Sequence, residues 1–352
     1  MAVITVVGAG MMGSALCVPL VDRGHEVRLV GTPLDRPIIE RLAKDHHHPT
    51  LRYDLPHGIR PYLVEQLEEA LDGAEAVGLG VSSAGIRWAA GALGPRLRTD
   101  ALVFGITKGL EWDGERLRVL PDVFAEALPA QLRATIAPAA VAGPCIAGEL
   151  ARRVPTCVVL TGRDQPKVRA IAELLRTEYY RVFPSEDVEG VEACAALKNA
   201  FAMGVAFGAG LHERRGGAAG SVAMHNYESA VMAQAIVEMM RVVEIMGGRT
   251  ATAAGLAGVG DLDVTNNGGR TGRFGRWLGL GLPLPEAIAR MEGATLECLE
   301  ILGVMRKAIA ALEACGGLGR RELPLLREMA RVALDGAELA MPFDDFFGGE
   351  RP

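Results

Sequence analysis

Between Ala193 and Leu211 the chain reads ACAALKNAFAMGVAFGAGL, and Lys198 is the one charged residue of that run. An ammonium so placed must reach solvent along its stem, meet a carboxylate, or face a cleft where a depressed pKa serves proton transfer. Asn199 beside it adds a polar side chain to the same turn. A second chemical motif is Gly8-Ala9-Gly10-Met11-Met12-Gly13, a GxGxxG directly after a strand-like run and before a helix-like one. In that context Gly8 permits a tight turn, Gly10 lets the backbone approach a pyrophosphate, and Gly13 permits close helix–strand packing. The helix start then turns its amides toward the anion.

Three further groups could join this chemistry. The second strand runs into Gly31, Thr32 and Pro33 with no acid where NAD would place one, while Thr32 and Arg36 could hold a 2′-phosphate. That pattern favours NADP, and the alternatives are that Asp35 swings in or that backbone groups suffice. Lys108, in FGITKGLE, follows another strand, and carboxyl ends of strands in open α/β sheets face the ligand crevice; a turn lysine on the surface is its plain alternative. The stretch from Gly255 to Gly281 holds nine glycines and reads as a shaped loop that brings Asp261, Thr265, Arg270 and Arg273 to a ligand. If Asp261 opens a helical turn, Thr265 shares its face. His46, His47 and His48 lie between Lys44 and Pro61 and read as a solvated loop, because consecutive side chains diverge and no further ligands cluster with them. No metal site is expected.

Strand-like segments at 3–7, 26–30, 76–81, 101–106, 139–142, 157–161 and 181–183 alternate with helix-length segments such as 11–23, 115–128 and 165–178, the signature of a doubly wound sheet. Beyond Asp187 only helical segments follow: 188–209, 222–246, 283–291, 295–315 and 324–335. The chain is therefore read as an α/β Rossmann-type doubly wound sheet domain over residues 1–187, followed by an all-α C-terminal domain over 188–352, the halves packing around a cleft.

The length of 352 residues suits two cores, and 49% hydrophobic residues suffice to fill them. A net charge of −6 without a basic block excludes a nucleic-acid surface, so an anionic ligand must be held by local cations and helix ends. Six scattered cysteines without a CxxC pair read as buried apolar residues in a reducing compartment. Pro and Gly are expected to interrupt each apolar stretch before it reaches membrane-spanning length, and the N-terminus shows no leader-like region. A cytoplasmic enzyme is the expectation, and the apolar helical half predicts a homodimer.

Taken together the motifs resemble those of the NAD(P)-dependent glycerol-3-phosphate dehydrogenase family. GAGMMGSAL resembles its nucleotide loop, VSSAGIR its third-strand turn, ITKGLE its first lysine motif, and GPCIAGEL its GP(S/T/N)FAxE motif. ALKNAFAMGVAFG resembles its second lysine motif, GLAGVGDL its aspartate motif, GGRTGRFG its arginine motif, and EGATLE and ELPLL its C-terminal signatures. The matches run in family order from about Val3 to Leu325. The resemblance implies a 6-phosphogluconate-dehydrogenase-like fold and interconversion of dihydroxyacetone phosphate and sn-glycerol 3-phosphate with NAD or NADP. It makes Lys198 the acid/base, Lys108 the second lysine, and Asp261 the carboxylate that orients them. Asn199, Thr265, Arg270 and Thr271 would line the substrate, a small phosphorylated molecule. Gly8, Gly10, Met11, Met12, Gly13, Thr32, Arg36, Ser82, Lys108, Ala147, Arg270 and Glu292 would surround the cofactor. In redox terms, hydride delivery to a ketone leaves an alkoxide that a nearby ammonium stabilises and protonates, and paired cations lower each other's pKa.

The chain departs from the family at Thr271, where asparagine is usual, at Glu228 in place of a base, at Gln234 in place of an arginine, and at Asp263, an added acid. These changes keep the oxidoreductase core and subtract positive charge around the phosphate. An alternative expectation is the same hydride chemistry on another phosphorylated or acidic hydroxy or keto compound. A non-catalytic cofactor-binding protein is the third.

Overall fold

The computed structural model describes residues 1–219, 223–267, 269–293 and 295–348. Val222, at the start of one expected helix, Gly268 in the glycine-rich run, and Ala294 in EGATLE lie outside the described residues. The chain divides into two compact units, Met1–Lys108 with Val119–Val188, and Gly109–Arg118 with Glu189–Pro352.

The first unit is built on eight strands: β1 (Val3–Val7), β2 (Glu26–Val30), β3 (Ile59–Tyr62), β4 (Ala76–Leu79), β5 (Leu102–Gly105), β6 (Ala139–Ala142), β7 (Thr156–Gly162) and β8 (Tyr180–Ser185). Their order in the sheet is β8-β7-β6-β5-β4-β1-β2-β3. Neighbours are parallel except β6 and β7, which run antiparallel. Short β-branched strands buried on both faces produce this sheet. On β1, Ile4 and Val6 enter one apolar cluster and Val7 the other, so alternate residues serve opposite helical layers.

Several segments differ from expectation. The region 44–61 is not a solvated loop. It holds a two-residue pairing of His47–His48 with Tyr53–Asp54, then β3, whose Pro61 is tolerated because β3 is an edge strand. His48 is fully buried: its Nδ1 accepts from Leu51 N–H at 3.2 Å, which leaves Nε2–H to donate to Ala9 O at 3.0 Å in the glycine loop. Burial holds that imidazole below its ordinary range, so it stays neutral. The expected helix 115–128 begins instead as a strand, Leu117–Val119, paired with Leu110–Trp112, and becomes helical only over Leu120–Ala127. Asp113 Oδ1 accepts from the amides of Glu115 and Arg116, and Gly114 takes φ +107°, so side-chain turn chemistry wins over helix periodicity.

The second unit is helical apart from that short pair among the described residues. Its central helix, Val188–Arg214, is long and apolar enough to cross a bilayer, contrary to the expectation that glycine would interrupt it, but 83% of its apolar window is buried inside the fold. The glycine-rich run is not a loop either. It forms a π-turn (Leu256–Gly260) and two helices, Asp261–Asn266 and Arg270–Leu280. The glycines lower helix propensity, but they allow backbones to touch. A Cβ on Gly275 would stand 2.3 Å from Met203 O, one on Gly279 2.3 Å from Phe207 O, and one on Gly210 2.0 Å from Arg276 O. The helices Val188–Arg214 and Arg270–Leu280 therefore cross backbone to backbone.

Buried Glu238 fixes the start of the Pro324–Asp335 helix: its Oε1 accepts from Leu325 N–H at 2.7 Å and its Oε2 from Leu326 N–H at 2.9 Å. Gln234 Nε2 also donates to Oε1 at 2.9 Å. Burial pushes this carboxyl up to about 7, against the amides and Gln234, which favour the carboxylate. The folded state thus binds the proton more tightly, so the stability this linkage adds is complete below the ordinary carboxylate range and is lost as pH rises through about 7. Glu238→Gln is expected to flatten that slope in urea unfolding between pH 5 and 8. It should also lower stability by about 1–3 kcal/mol throughout, because one amide oxygen cannot serve two backbone donors. An unchanged slope would exclude Glu238 as its source.

Candidate functional site

In the helical unit, Lys198 Nζ donates to Asp261 Oδ1, and both side chains are buried, at 8% and 0% exposure. The lysine does not snorkel. Asp261 opens its short helix directly after the π-turn, where Gly258 must be glycine, since a Cβ there would meet Ala253 O at 2.0 Å. Thr265 lies one turn on, as the spacing requires, and its Oγ1 donates to Asp261 O at 2.6 Å. Asn199, 7% exposed, donates through Nδ2 to Glu297 Oε2 at 2.6 Å. Glu297 closes the EGATLE signature but was not singled out within it, since it opens the Glu297–Ala314 helix and lies 98 residues from Asn199 in the chain.

Arg270 and Thr271, both half-buried, begin the Arg270–Leu280 helix after Gly269 at φ +111°. Among the described residues no carboxylate pairs with Arg270 or with exposed Arg273, in contrast to Arg276, held by Glu213 at 2.5 and 2.7 Å. An uncommitted guanidinium at a helix start suits a phosphate. Beside these helices lies a cavity of about 430 Å³, whose wall includes Ala202, Val205, Glu228, Asp263 and Arg273. Two of the four departures, Glu228 and Asp263, thus face one cavity, and burial raises the Glu228 carboxyl. Gln234 is a different case: it is 2% exposed, binds Glu238, and accepts from Phe347 N–H at 2.9 Å, so it replaces charge with core hydrogen bonding. Glu292 is exposed in a turn at φ +51°.

In the nucleotide-fold unit the glycine loop joins β1 to the Met11–Asp22 helix. Gly8 has φ +111°, and a Cβ on it would meet the Gly80 carbonyl at 2.5 Å; a Cβ on Gly13 would meet Gly8 O at 2.1 Å. Gly80, unnoticed in the sequence, is therefore the third member of this packing. Gly10 is different, with nothing within 4 Å of its Cβ position, so the loop presents an open cradle that a side chain would fill. Met11 and Met12 begin the helix half-buried. Dinucleotide phosphates fit this cradle.

Asp35 turns its carboxylate onto the glycine loop and Thr32. Its Oδ2 accepts from Ala9 N–H at 3.1 Å, Thr32 N–H at 2.8 Å and Thr32 Oγ1–H at 2.7 Å. Arg36 is exposed and bonded to Glu65. Ser82 is exposed in the turn after β4, and Ala147 opens the Ala147–Ala151 helix after β6. Lys108 is half-buried beyond β5, where Thr107 Oγ1 donates to Val81 O at 2.7 Å and pins its turn to that of Ser82. No group of three or more potential metal ligands occurs among the described residues.

Comparison with known proteins places both units. Residues 3–168 match the family model described as NAD-dependent glycerol-3-phosphate dehydrogenase N-terminus, and residues 187–342 match its C-terminus. The NADP(+)-dependent glycerol-3-phosphate dehydrogenase of Archaeoglobus fulgidus is 38% identical over 82% of this chain and 84% of its own length. A glycerol-3-phosphate dehydrogenase [NAD(P)+] of Shouchella clausii is 30% identical over 98% of this chain and 95% of its own. The crystal structure of glycerol-3-phosphate dehydrogenase from Coxiella burnetii superposes with a TM-score of 0.79 at 26% identity, covering 95% of each chain.

Proposed function

The chain belongs to the NAD-dependent glycerol-3-phosphate dehydrogenase family, and from that premise we propose that its Lys198–Asp261 pair carries the proton transfer of the family's reaction. The reaction is the NAD(P)-dependent interconversion of dihydroxyacetone phosphate and sn-glycerol 3-phosphate. A bound nicotinamide supplies or accepts the hydride at the substrate's central carbon. Lys198 Nζ then protonates the oxygen on that carbon during reduction and takes the proton back during oxidation. Asp261 Oδ1 fixes the direction of the ammonium and offsets the cost of burying it. Arg270 takes the substrate phosphate, Asn199 and Thr265 complete the wall, and Thr271 stands next to the phosphate ligand. Lys108 supplies the second lysine of the family pattern, and Ser82, Ala147 and Glu292 border the cofactor on the same pattern. The Gly8–Gly13 cradle holds the cofactor phosphates, as its open position at Gly10 supports. The observation that carries this reading is a buried lysine held by a fully buried aspartate in a chain that matches both halves of the family.

Exposed Val237, Ile288, Phe343 and Phe347 on the helical unit support a homodimer, and six free cysteines fit a reducing, cytoplasmic setting. The deciding assay is oxidation of NADH and NADPH by the full chain with dihydroxyacetone phosphate. The expected kcat/KM is above about 10⁴ M⁻¹s⁻¹ and at least a hundredfold above that for unphosphorylated dihydroxyacetone. Equal use of the unphosphorylated ketone would overturn the assignment of substrate, and the carboxylates of Glu228 and Asp263 would then be the place to look for the reason.

A further inference from the structure

Two neighbouring polar side chains of the Val188–Arg214 helix are each held by a carboxylate from another helix. Lys198 has Asp261, and there opposite charges offset one another. Asn199 has Glu297, and there they do not: its Nδ2 donates to Glu297 Oε2 at 2.6 Å, and among the described residues no cation pairs with this half-buried carboxylate. The start of an 18-residue helix favours a negative group at that place. A half-buried acid committed to a neutral amide still needs a reason.

The reason lies in what each group can do. A carboxylate only accepts, so the end of the Asn199 amide that meets it is the NH2. The carbonyl end is fixed by the same bond, because a partner that cannot donate forbids the flipped amide. Asn199 is 7% exposed, yet its Oδ1 has no partner among the described residues and is not sealed in the core, so it stays open to a ligand. We infer that Glu297 is the positioning residue of Asn199: it turns the amide so that Oδ1 faces the substrate and accepts from its unphosphorylated hydroxyl, which makes the pair a determinant of specificity. This rests on the reading of Lys198 as the acid/base of the family's reaction. Dihydroxyacetone phosphate carries one free hydroxyl, on the carbon beside the reacting carbonyl, and one phosphate. The phosphate dianion brings acceptors only and is repelled by a carbonyl oxygen, whereas the hydroxyl has a proton to give. Arg270 serves the phosphate, Asn199 reads the hydroxyl, and Glu297 acts through Asn199 without touching the substrate.

The test is steady-state reduction by the full chain of dihydroxyacetone phosphate and of hydroxyacetone phosphate, which has a methyl group in place of the hydroxymethyl. The wild type is expected to favour the first by about a hundredfold or more in kcat/KM, because loss of the donor leaves a largely buried acceptor unpaired. Glu297→Gln, which lets either end of the Asn199 amide face it, should lower that ratio at least about tenfold, and Asn199→Ala should lower it as far. The double variant should show no further fall, since both changes remove one interaction. An unchanged ratio in Glu297→Gln, with both rates reduced together, would make Glu297 a structural residue and overturn the proposal. So would an unchanged ratio in Asn199→Ala, a result that is decisive even where Glu297→Gln does not fold, and so would a wild type that reduces both ketones equally well. Absence of turnover of either ketone by the wild type, or near-normal rates in Lys198→Ala, would instead overturn the Lys198 reading itself. Binding of NADH to each variant, followed by fluorescence, checks that it is folded.

Discussion

Lys198→Ala is expected to lower kcat by about 10³-fold or more while the dissociation constants for NADH and NADPH stay within twofold. On the proposed reading the proton donor is lost, and water at neutral pH is a poor substitute for an ammonium held by a fully buried carboxylate. The same substitution leaves Asp261 buried without its counter-ion, which costs about 3–5 kcal/mol of stability. That cost separates two roles. In Lys198→Ala/Asp261→Asn the unpaired charge is gone, so stability should recover most of the loss, whereas turnover should remain as low as in the single variant. Single-turnover hydride transfer and urea unfolding of the wild type and both variants give both readings. Recovery of activity along with stability would mean that Lys198 only holds the fold, and near-normal turnover in Lys198→Ala would remove it from the chemistry.

Gly275→Ala, the addition of one methyl group, should lower the melting temperature by roughly 6–12 °C, corresponding to a loss of about 3 kcal/mol. The new Cβ would stand 2.3 Å from Met203 O and 3.0 Å from Met203 C, both backbone atoms of the neighbouring helix, so no rotamer change relieves it. The helices Val188–Arg214 and Arg270–Leu280 must part, and the first of them carries Lys198. Gly272→Ala is the internal control. Nothing lies within 4 Å of its Cβ position, so the same change in the same helix should be neutral or stabilise by up to about 1 kcal/mol through helix propensity. Equal melting temperatures for the two variants would show that the crossing is looser than its geometry indicates.

The contrast between these glycines also marks how far the sequence could be read. Its periodicities locate β1, β2, β6 and the long helices because strand alternation and helical repeats are local properties of neighbouring residues. Gly8, Gly10 and Gly13 are legible for a related reason: their roles follow from one turn and the helix behind it. The segment 255–281 is not legible in that way. Glycine density there argues for a loop as long as each glycine is judged by propensity, and only the backbone of the Val188–Arg214 helix, distant in sequence, shows why Gly275 and Gly279 belong in a helix. His48 follows the same rule, since only contact with Ala9 makes it a buried support of the nucleotide loop instead of one of three solvated histidines.

By itself the sequence determined that a lone ammonium in an apolar run needed a reason, that a glycine turn between strand and helix would receive phosphates, and which family pattern those residues follow. The tertiary structure alone decided what each charged group meets: Asp261 for Lys198, Glu297 for Asn199, and Glu65 for Arg36. Those partners lie 63, 98 and 29 residues away. The physical reason is range. Backbone preference is set within a few residues, whereas the cost of burying a charge is offset only by whichever group the fold brings to it.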